Sequence, residues 1–286
     1  MLRDDHSVTR RGAAIARVSQ AEIGVIGGSG FYHLFGPEHQ EGVVLPTPYG
    51  DPSAAVTVGE VAGRSVAFIP RHGAGHTFPP HRINYRANVW ALSSLGVTRV
   101  IAPCAAGSLR ADLARGDVVL CDQLIDATRG LRADTYFDGP GVAHLSAAQP
   151  YCAELRAAAA VSVRSSGLTA HDTGTVVVIE GPRFSTAAES RVHRSHGADI
   201  INMTQYPEVA LARELGLCYT ALALVTDYDS GVEGDAQAVA VTQEEVFRVF
   251  GANVARLRDA VLHLVATLPG ARGCDCAAAR PQPIAG

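Results

Sequence analysis

The chain has 286 residues, 47% of them hydrophobic and 18% charged, with a formal net charge of −4. That apolar content suffices for a sizeable core in one large α/β domain or two small ones, and the charge balance offers neither a basic stripe for nucleic acid nor a polybasic anchor for a membrane. No apolar run approaches the roughly 20 residues that span a bilayer, and the first residues lack the apolar segment of a secretory signal, so the chain is expected in the cytoplasm with its six scattered cysteines reduced.

Residues 1–20 carry mixed charge without a clear period and are expected to form a mobile arm. The core begins at Glu22, where IGVIGG reads as a buried strand entering a glycine turn. Strands follow at 54–58 and 65–69, then a helix at 84–95 and a strand at 97–102. A strand is predicted at 117–125, a helix at 150–166, a strand at 175–179 and a helix at 185–196. Next come a strand at 200–203, a helix at 207–215 with Pro in its first turn, and a strand at 219–225. The last helix, 242–268, opens on a Thr242/Glu245 capping-box pattern and keeps one apolar face from Val246 to Leu264. Several strands are unbroken Val- and Ile-rich runs, as expected of a sheet covered on both faces. The alternation predicts an α/β fold: a single domain at 21–270 with a central mixed β-sheet flanked by helices. The Ala- and Pro-rich tail, 271–286, is expected to be disordered. Its Cys274-Asp275-Cys276 could close a strained disulfide or hold a metal, but the pattern around it favours a passive tail.

Chemistry-bearing residues gather at strand ends. Gly27-Gly28-Ser29-Gly30 can turn backbone N–H groups and a hydroxyl towards an anion, or can be an ordinary tight turn; it lacks the Lys of a P-loop and the dinucleotide spacing. Pro70-Arg71-His72-Gly73 offers a planar guanidinium fork for phosphate and an imidazole to add a donor or orient the anion; a surface Arg beside a capping His is the plain alternative. Ala105-Ala106-Gly107-Ser108 reads as a small-residue turn, open to a ligand's approach or set by packing. In Glu180-Gly181-Pro182-Arg183-Phe184-Ser185, Glu180 and Arg183 read as a structural pair, and Phe184 as an aromatic face for a planar base or as core. Met203 could pack on a sugar and Thr204 donate to phosphate. Asp227 and Asp229 alternate on one strand face; two partly buried carboxyls cannot both ionise freely, so one should keep its proton. A protonated Asp donates to a purine N7 and a carboxylate accepts from an exocyclic amine. A metal there would want further oxygen ligands, which the local sequence lacks.

In order and wording, RINYRANVWAL, AAGSL, IEGPRFS, INMTQYPE and TDYDS resemble the trimeric purine nucleoside phosphorylase superfamily, most closely its methylthioadenosine phosphorylase branch, over residues 23–269. The resemblance implies phosphate contacts from Ser29, Arg71, His72, Cys104, Ala105 and Thr204. It puts Met203 against the ribose, Phe184 beside the base, Asp227 and Asp229 on the purine, and Ser185 and Gln243 among the residues that set specificity. It implies Asp227 as the catalytic acid at N7, His144 reaching a neighbouring subunit's site in a homotrimer, and inorganic phosphate as co-substrate with neither metal nor organic cofactor. The 6-oxopurine branch has Asn where this chain has Asp227, which favours a 6-aminopurine. Two positions depart from the pattern: Cys104 stands for a phosphate-contacting Thr, and Gln243 for an apolar residue at the 5′-group. The implied reaction is phosphorolysis of 5′-methylthioadenosine or another 5′-modified adenosine. Its rivals are phosphorolysis of adenosine or of a 6-oxopurine nucleoside, nucleoside hydrolysis, and nucleoside binding without catalysis.

Overall fold

The computed structural model describes residues 20–36, 42–139, 141–230, 232 and 241–283. The expected arm thus lies, but for Gln20, outside the described residues. The chain enters through β1 (Ile23–Gly27), β2 (Thr57–Val61) and β3 (Arg64–Pro70) and reaches α1 (Tyr85–Ser94). β4 (Arg99–Ser108), β5 (Val118–Val119) and β6 (Gln123–Ala127) precede α2 (Ala153–Ser165). Then come β7 (Ala170–His171), β8 (Thr175–Ile179), α3 (Ala187–Ser195), β9 (Ile200–Asn202), α4 (Gln205–Glu214), β10 (Cys218–Tyr228) and α5 (Gln243–Thr267). No helix among the described residues is long and apolar enough to cross a membrane.

The strands form one mixed sheet in the order β2-β3-β1-β4-β10-β5-β7, with β9, β8 and β6 continuing from β4. β1 runs parallel to β3 and β4, and β4 parallel to β10; β2, β5 and β9 pair antiparallel with β3, β10 and β4. Side chains on β4 and β10 alternate between two apolar layers, as strand geometry requires. Val100, Ala102, Tyr219 and Ala221 face α1 and α4 through Val89, Leu92 and Val209. Ile101, Leu222 and Leu224 face α2 and α5 through Leu155, Leu257 and Leu264. Each buried Val, Leu or Ile among them contributes about 1.5–3 kcal/mol. The predicted single-domain α/β architecture with a central mixed sheet and flanking helices is thus the one observed.

Caps fix the helix starts. Asn84 accepts from the Ala87 N–H at α1, and Thr186 and Glu189 form a full capping box at α3. Thr242 caps α5 through the Glu245 N–H, but the Glu245 carboxylate turns to Arg248 instead of closing the box. Tyr206 is non-helical inside α4, so its regular turns start at Pro207 as predicted.

Four predictions are corrected. The strand read at 97–102 continues to Ser108, so the Ala105–Ser108 stretch is strand and not a turn: β10 pairs with it along its whole length, and small residues there serve close packing. The strand read at 219–225 likewise runs to Tyr228 and carries Asp227 within the sheet. Glu180 and Arg183 do not pair with each other; Glu180 faces Arg132 and Arg183 grips Glu189. The tail, expected to be disordered, packs as far as it is described. Arg272 donates to the Gly216 carbonyl at 2.9 Å, the Gly273 N–H to Glu154 at 2.7 Å, and Cys276 is buried. Composition alone hid these long-range anchors.

Candidate active site

The parallel set β1, β3, β4 and β10 ends on one cavity of about 340 Å³, the place where open α/β sheets bind ligands and a volume suited to a nucleoside-sized molecule. β8 and β9, running the other way, deliver the chain to the same cavity. Ser29 lies just after β1, Arg71 and His72 follow β3, Cys104 and Ala105 lie in β4, and Thr204 follows β9. Phe184, Ser185, Met203, Asp227 and Asp229 line the other part, and Gln243, Val246 and Phe247 of α5 close a wall. One chain therefore brings together every predicted site residue but His144. That residue is exposed on the stretch after Gly141 and does not line the cavity.

The phosphate-facing part is built on a buried ion pair that the sequence did not reveal. Arg71 is 1% exposed and Glu208, on α4, is wholly buried. Nε and Nη2 of Arg71 each donate to the Glu208 carboxylate at 2.7 Å, and the Tyr219 hydroxyl donates to it at 2.7 Å. The fork expected to clasp phosphate is thus engaged by Glu208. Nη1 donates to the Pro103 carbonyl at 3.3 Å and has a second hydrogen for a ligand. Glu208 raises the guanidinium pKa against burial, so the cation is permanent. Gly28 is required here: a Cβ would meet the Pro103 carbonyl oxygen at 2.7 Å and Arg71 Nη1 at 2.8 Å.

Burial holds the His72 pKa down at about 3, so the ring is neutral. Its Nδ1 lies 2.8 Å from the Phe78 carbonyl, which only accepts; Nδ1 therefore carries the hydrogen and Nε2 is an acceptor. In this state the ring presents Nε2 to the cavity as an acceptor. The ring stacks on His76 at 4.2 Å. Burial also pushes the Cys104 thiol up to about 12, so it stays protonated beside Arg71. Asn202, missed by sequence reasoning, ties two segments together. Its Nδ2 donates to the Ala105 carbonyl at 2.7 Å, and its Oδ1 accepts from the backbone N–H groups of Thr204 and Gln205 at 2.7 and 2.8 Å. Arg132, also missed, donates to the carbonyls of Ile179, Glu180, Met203 and Tyr206 and so joins the two loops that carry Phe184 and Met203.

At the end of β10 the register with β4 slips between Val225 and Asp227, an irregularity that re-aims side chains beside a site. Gly107 makes room, since a Cβ there would lie 2.9 Å from Asp227 Oδ2. The Thr226 hydroxyl donates to Asp227 Oδ1 at 2.7 Å. Burial nevertheless raises Asp227 to about 6, with the nearby Asp229 adding to the rise. Asp229 is also raised by burial, and the Ser190 hydroxyl, which donates to it, opposes the shift. The Ser185 hydroxyl, buried on the cavity wall, also opposes the shift at Asp229. Such a cavity can hold an anion at one end and, at the other, present one proton-bearing carboxyl and one acceptor to a polar planar group.

Comparison with known proteins agrees with that chemistry. The phosphorylase superfamily profile matches residues 22–266. A purine nucleoside phosphorylase of Streptomyces coelicolor is 52% identical over 93% of this chain and 96% of its own. An S-methyl-5′-thioadenosine phosphorylase of Thermofilum pendens is 50% identical over 93% of this chain and all of its own. The structure of a Schistosoma mansoni methylthioadenosine phosphorylase with adenine superposes at a TM-score of 0.80, with 38% identity, over 86% of this chain and 91% of that one. A single-site mutant of the same worm protein, described as an adenosine/methylthioadenosine phosphorylase and holding methylthioadenosine, superposes at 0.78.

Proposed function

The chain belongs to the phosphorylase superfamily, and from that premise we propose that its cavity splits 5′-methylthioadenosine with inorganic phosphate into adenine and 5-methylthioribose 1-phosphate. The observation that carries the reading is the buried Asp227/Asp229 pair facing the same cavity as Arg71 and Thr204. Phosphate lies against Ser29, Arg71 Nη1, the Ala105 backbone and Thr204, with its own O–H directed to His72 Nε2. Cys104 contributes a weak thiol donor. As the bond from the anomeric carbon to N9 breaks, its electron pair moves into the purine and Asp227 gives its proton to N7. Asp229 accepts from the exocyclic amine, Phe184 covers the base and Met203 the ribose. The phosphate oxygen balances the developing ribosyl cation and then bonds to the anomeric carbon. No metal or organic cofactor takes part in this chemistry.

Phosphorolysis of adenosine is a second reading, favoured by Gln243: its amide borders the cavity beside the apolar Val246 and Phe247 and suits a 5′-hydroxyl. The chain is proposed to work in the cytoplasm as a homotrimer in which His144 reaches a neighbour's site. A panel of methylthioadenosine, adenosine and inosine, with and without phosphate, tests the assignment. Phosphate-dependent release of adenine, fastest from methylthioadenosine, is expected. Release of free ribose without phosphate, or a preference for inosine, would overturn it.

A further inference from the structure

The fold gathers four cysteines from three distant stretches of the chain. Cys152 is the N-cap residue of α2, Cys218 is the first residue of β10, and Cys274 and Cys276 follow α5. Their sulfurs all lie within 4.8 Å of one another, and Cys218 and Cys274 approach to 3.3 Å. We infer that these four thiolates form a structural Zn²⁺ site that fastens the C-terminal segment to the start of β10 and the N-terminus of α2.

The geometry is that of a tetrahedral ligand set. A Zn–S bond of about 2.3 Å gives sulfur–sulfur edges of about 3.8 Å, inside the observed spread. Three of the four cysteines are buried and the fourth is half-buried, in the same apolar core layer as Leu155, Leu168 and Leu268. A set of four soft sulfurs with no position left for water is the pattern of a closed structural site rather than a catalytic one. The surroundings offset its charge. Four thiolates around Zn²⁺ leave two negative charges; Arg272 Nη1 lies 4.0 Å from Cys218 Sγ, and the Leu155 N–H, in the first turn of α2, donates to Cys152 Sγ at 3.4 Å. Binding needs no oxidant: four thiols release their protons to solvent as four Zn–S bonds form. The nine residue-to-residue steps along β10 from Cys218 to Asp227, at about 3.3 Å each, separate the cluster from the catalytic end by about 30 Å. The metal therefore serves stability and not the reaction. The sequence shows only the Cys274/Cys276 half of this set, because the other two ligands are brought in by the fold.

The test is elemental analysis of the full chain, purified under reducing conditions without chelator. One zinc per chain is expected. It should be absent from the Cys274→Ser/Cys276→Ser variant and retained by Cys121→Ser, whose thiol lies outside the cluster. Removing zinc with a strong chelator should lower Tm while leaving kcat unchanged at temperatures where the protein stays folded, and Co²⁺ put in its place should show the visible bands of a tetrahedral thiolate complex. A wild-type chain that takes up no zinc even when supplied with it, that carries iron instead, or whose intact mass lacks the hydrogens of two disulfides would overturn the inference.

Discussion

At Asp227 two effects oppose each other: the Thr226 hydroxyl favours the carboxylate, burial favours the acid, and burial wins by enough to place the group at about 6. Protonated Asp227 is the proposed donor to N7, so kcat/KM for the nucleoside at saturating phosphate should fall as pH rises through about 6. The Asp227→Asn profile should lack that limb and should shift preference towards 6-oxopurine nucleosides; an unchanged profile would remove Asp227 from the acid role. Linkage gives an independent readout. The folded group holds a proton that the unfolded chain, at 3.8, has already released, so stability falls as pH rises between 3.8 and about 6. The two-unit difference amounts to roughly 3 kcal/mol. Urea unfolding at pH 8 should therefore find Asp227→Asn more stable than wild type, by up to that amount, although it is slower. Arg71 behaves in the opposite sense. Arg71→Ala should raise the phosphate KM well above any effect on the nucleoside KM, and should also cost about 3–5 kcal/mol by leaving Glu208 buried without its partner. Adding Glu208→Gln should restore part of the stability and none of the phosphate affinity. Arg71 was legible in the sequence because it sits in a short motif at a strand end. Glu208 was not: it lies 137 residues away in what reads as an ordinary helical Glu, and only the fold makes them partners.

The first turn of α5 is the element that distinguishes this pocket. Thr242 caps it, which directs Gln243, Val246 and Phe247 to the cavity wall. Gln243→Val removes an amide that a thioether cannot satisfy and should raise the kcat/KM ratio of methylthioadenosine to adenosine. Full loss of a buried amide's hydrogen bonds amounts to about 1–3 kcal/mol. Gln243 is exposed in the chain as described and keeps some water, so the lower end, a change of about fivefold, is expected. An unchanged ratio would return Gln243 to solvent duty. Helices were read from the sequence to within a few residues because apolar periodicity and caps are local signals. Strand ends were read short at β4 and β10, since Ala105, Ala106 and Gly107 carry turn-like composition, and only pairing with β10 holds them extended. The two-residue β7 gives too little pattern to detect and exists through its pairing with β5.

For the whole molecule, the mixed sheet and its helical layers were legible because the central strands β1, β3, β4 and β10 and the helices α1, α2, α4 and α5 bury a face within this chain. The proposed assembly rests on the resemblance, since a subunit interface imposes no period on the sequence. The exposed surface of the single chain supports that proposal. His144 is exposed on the connection from β6 to α2, and two large apolar side chains of the same connection are open to solvent, Leu131 at 73% and Val142 at 55%. Exposed apolar residues are ordinary when scattered singly; two of them on the same connection as a histidine absent from its own chain's cavity fit the proposal of a surface that another subunit covers. Light scattering should accordingly give three times the 29.9 kDa chain mass. His144→Ala should keep that mass and raise the nucleoside KM, because the imidazole would act across the interface and not within it. Leu131→Asp with Val142→Asp should break the assembly, and the separated chains should lose nucleoside affinity to the same degree as His144→Ala or more. A monomer with full activity, or separated chains that bind nucleoside as the assembly does, would show that each cavity is complete by itself.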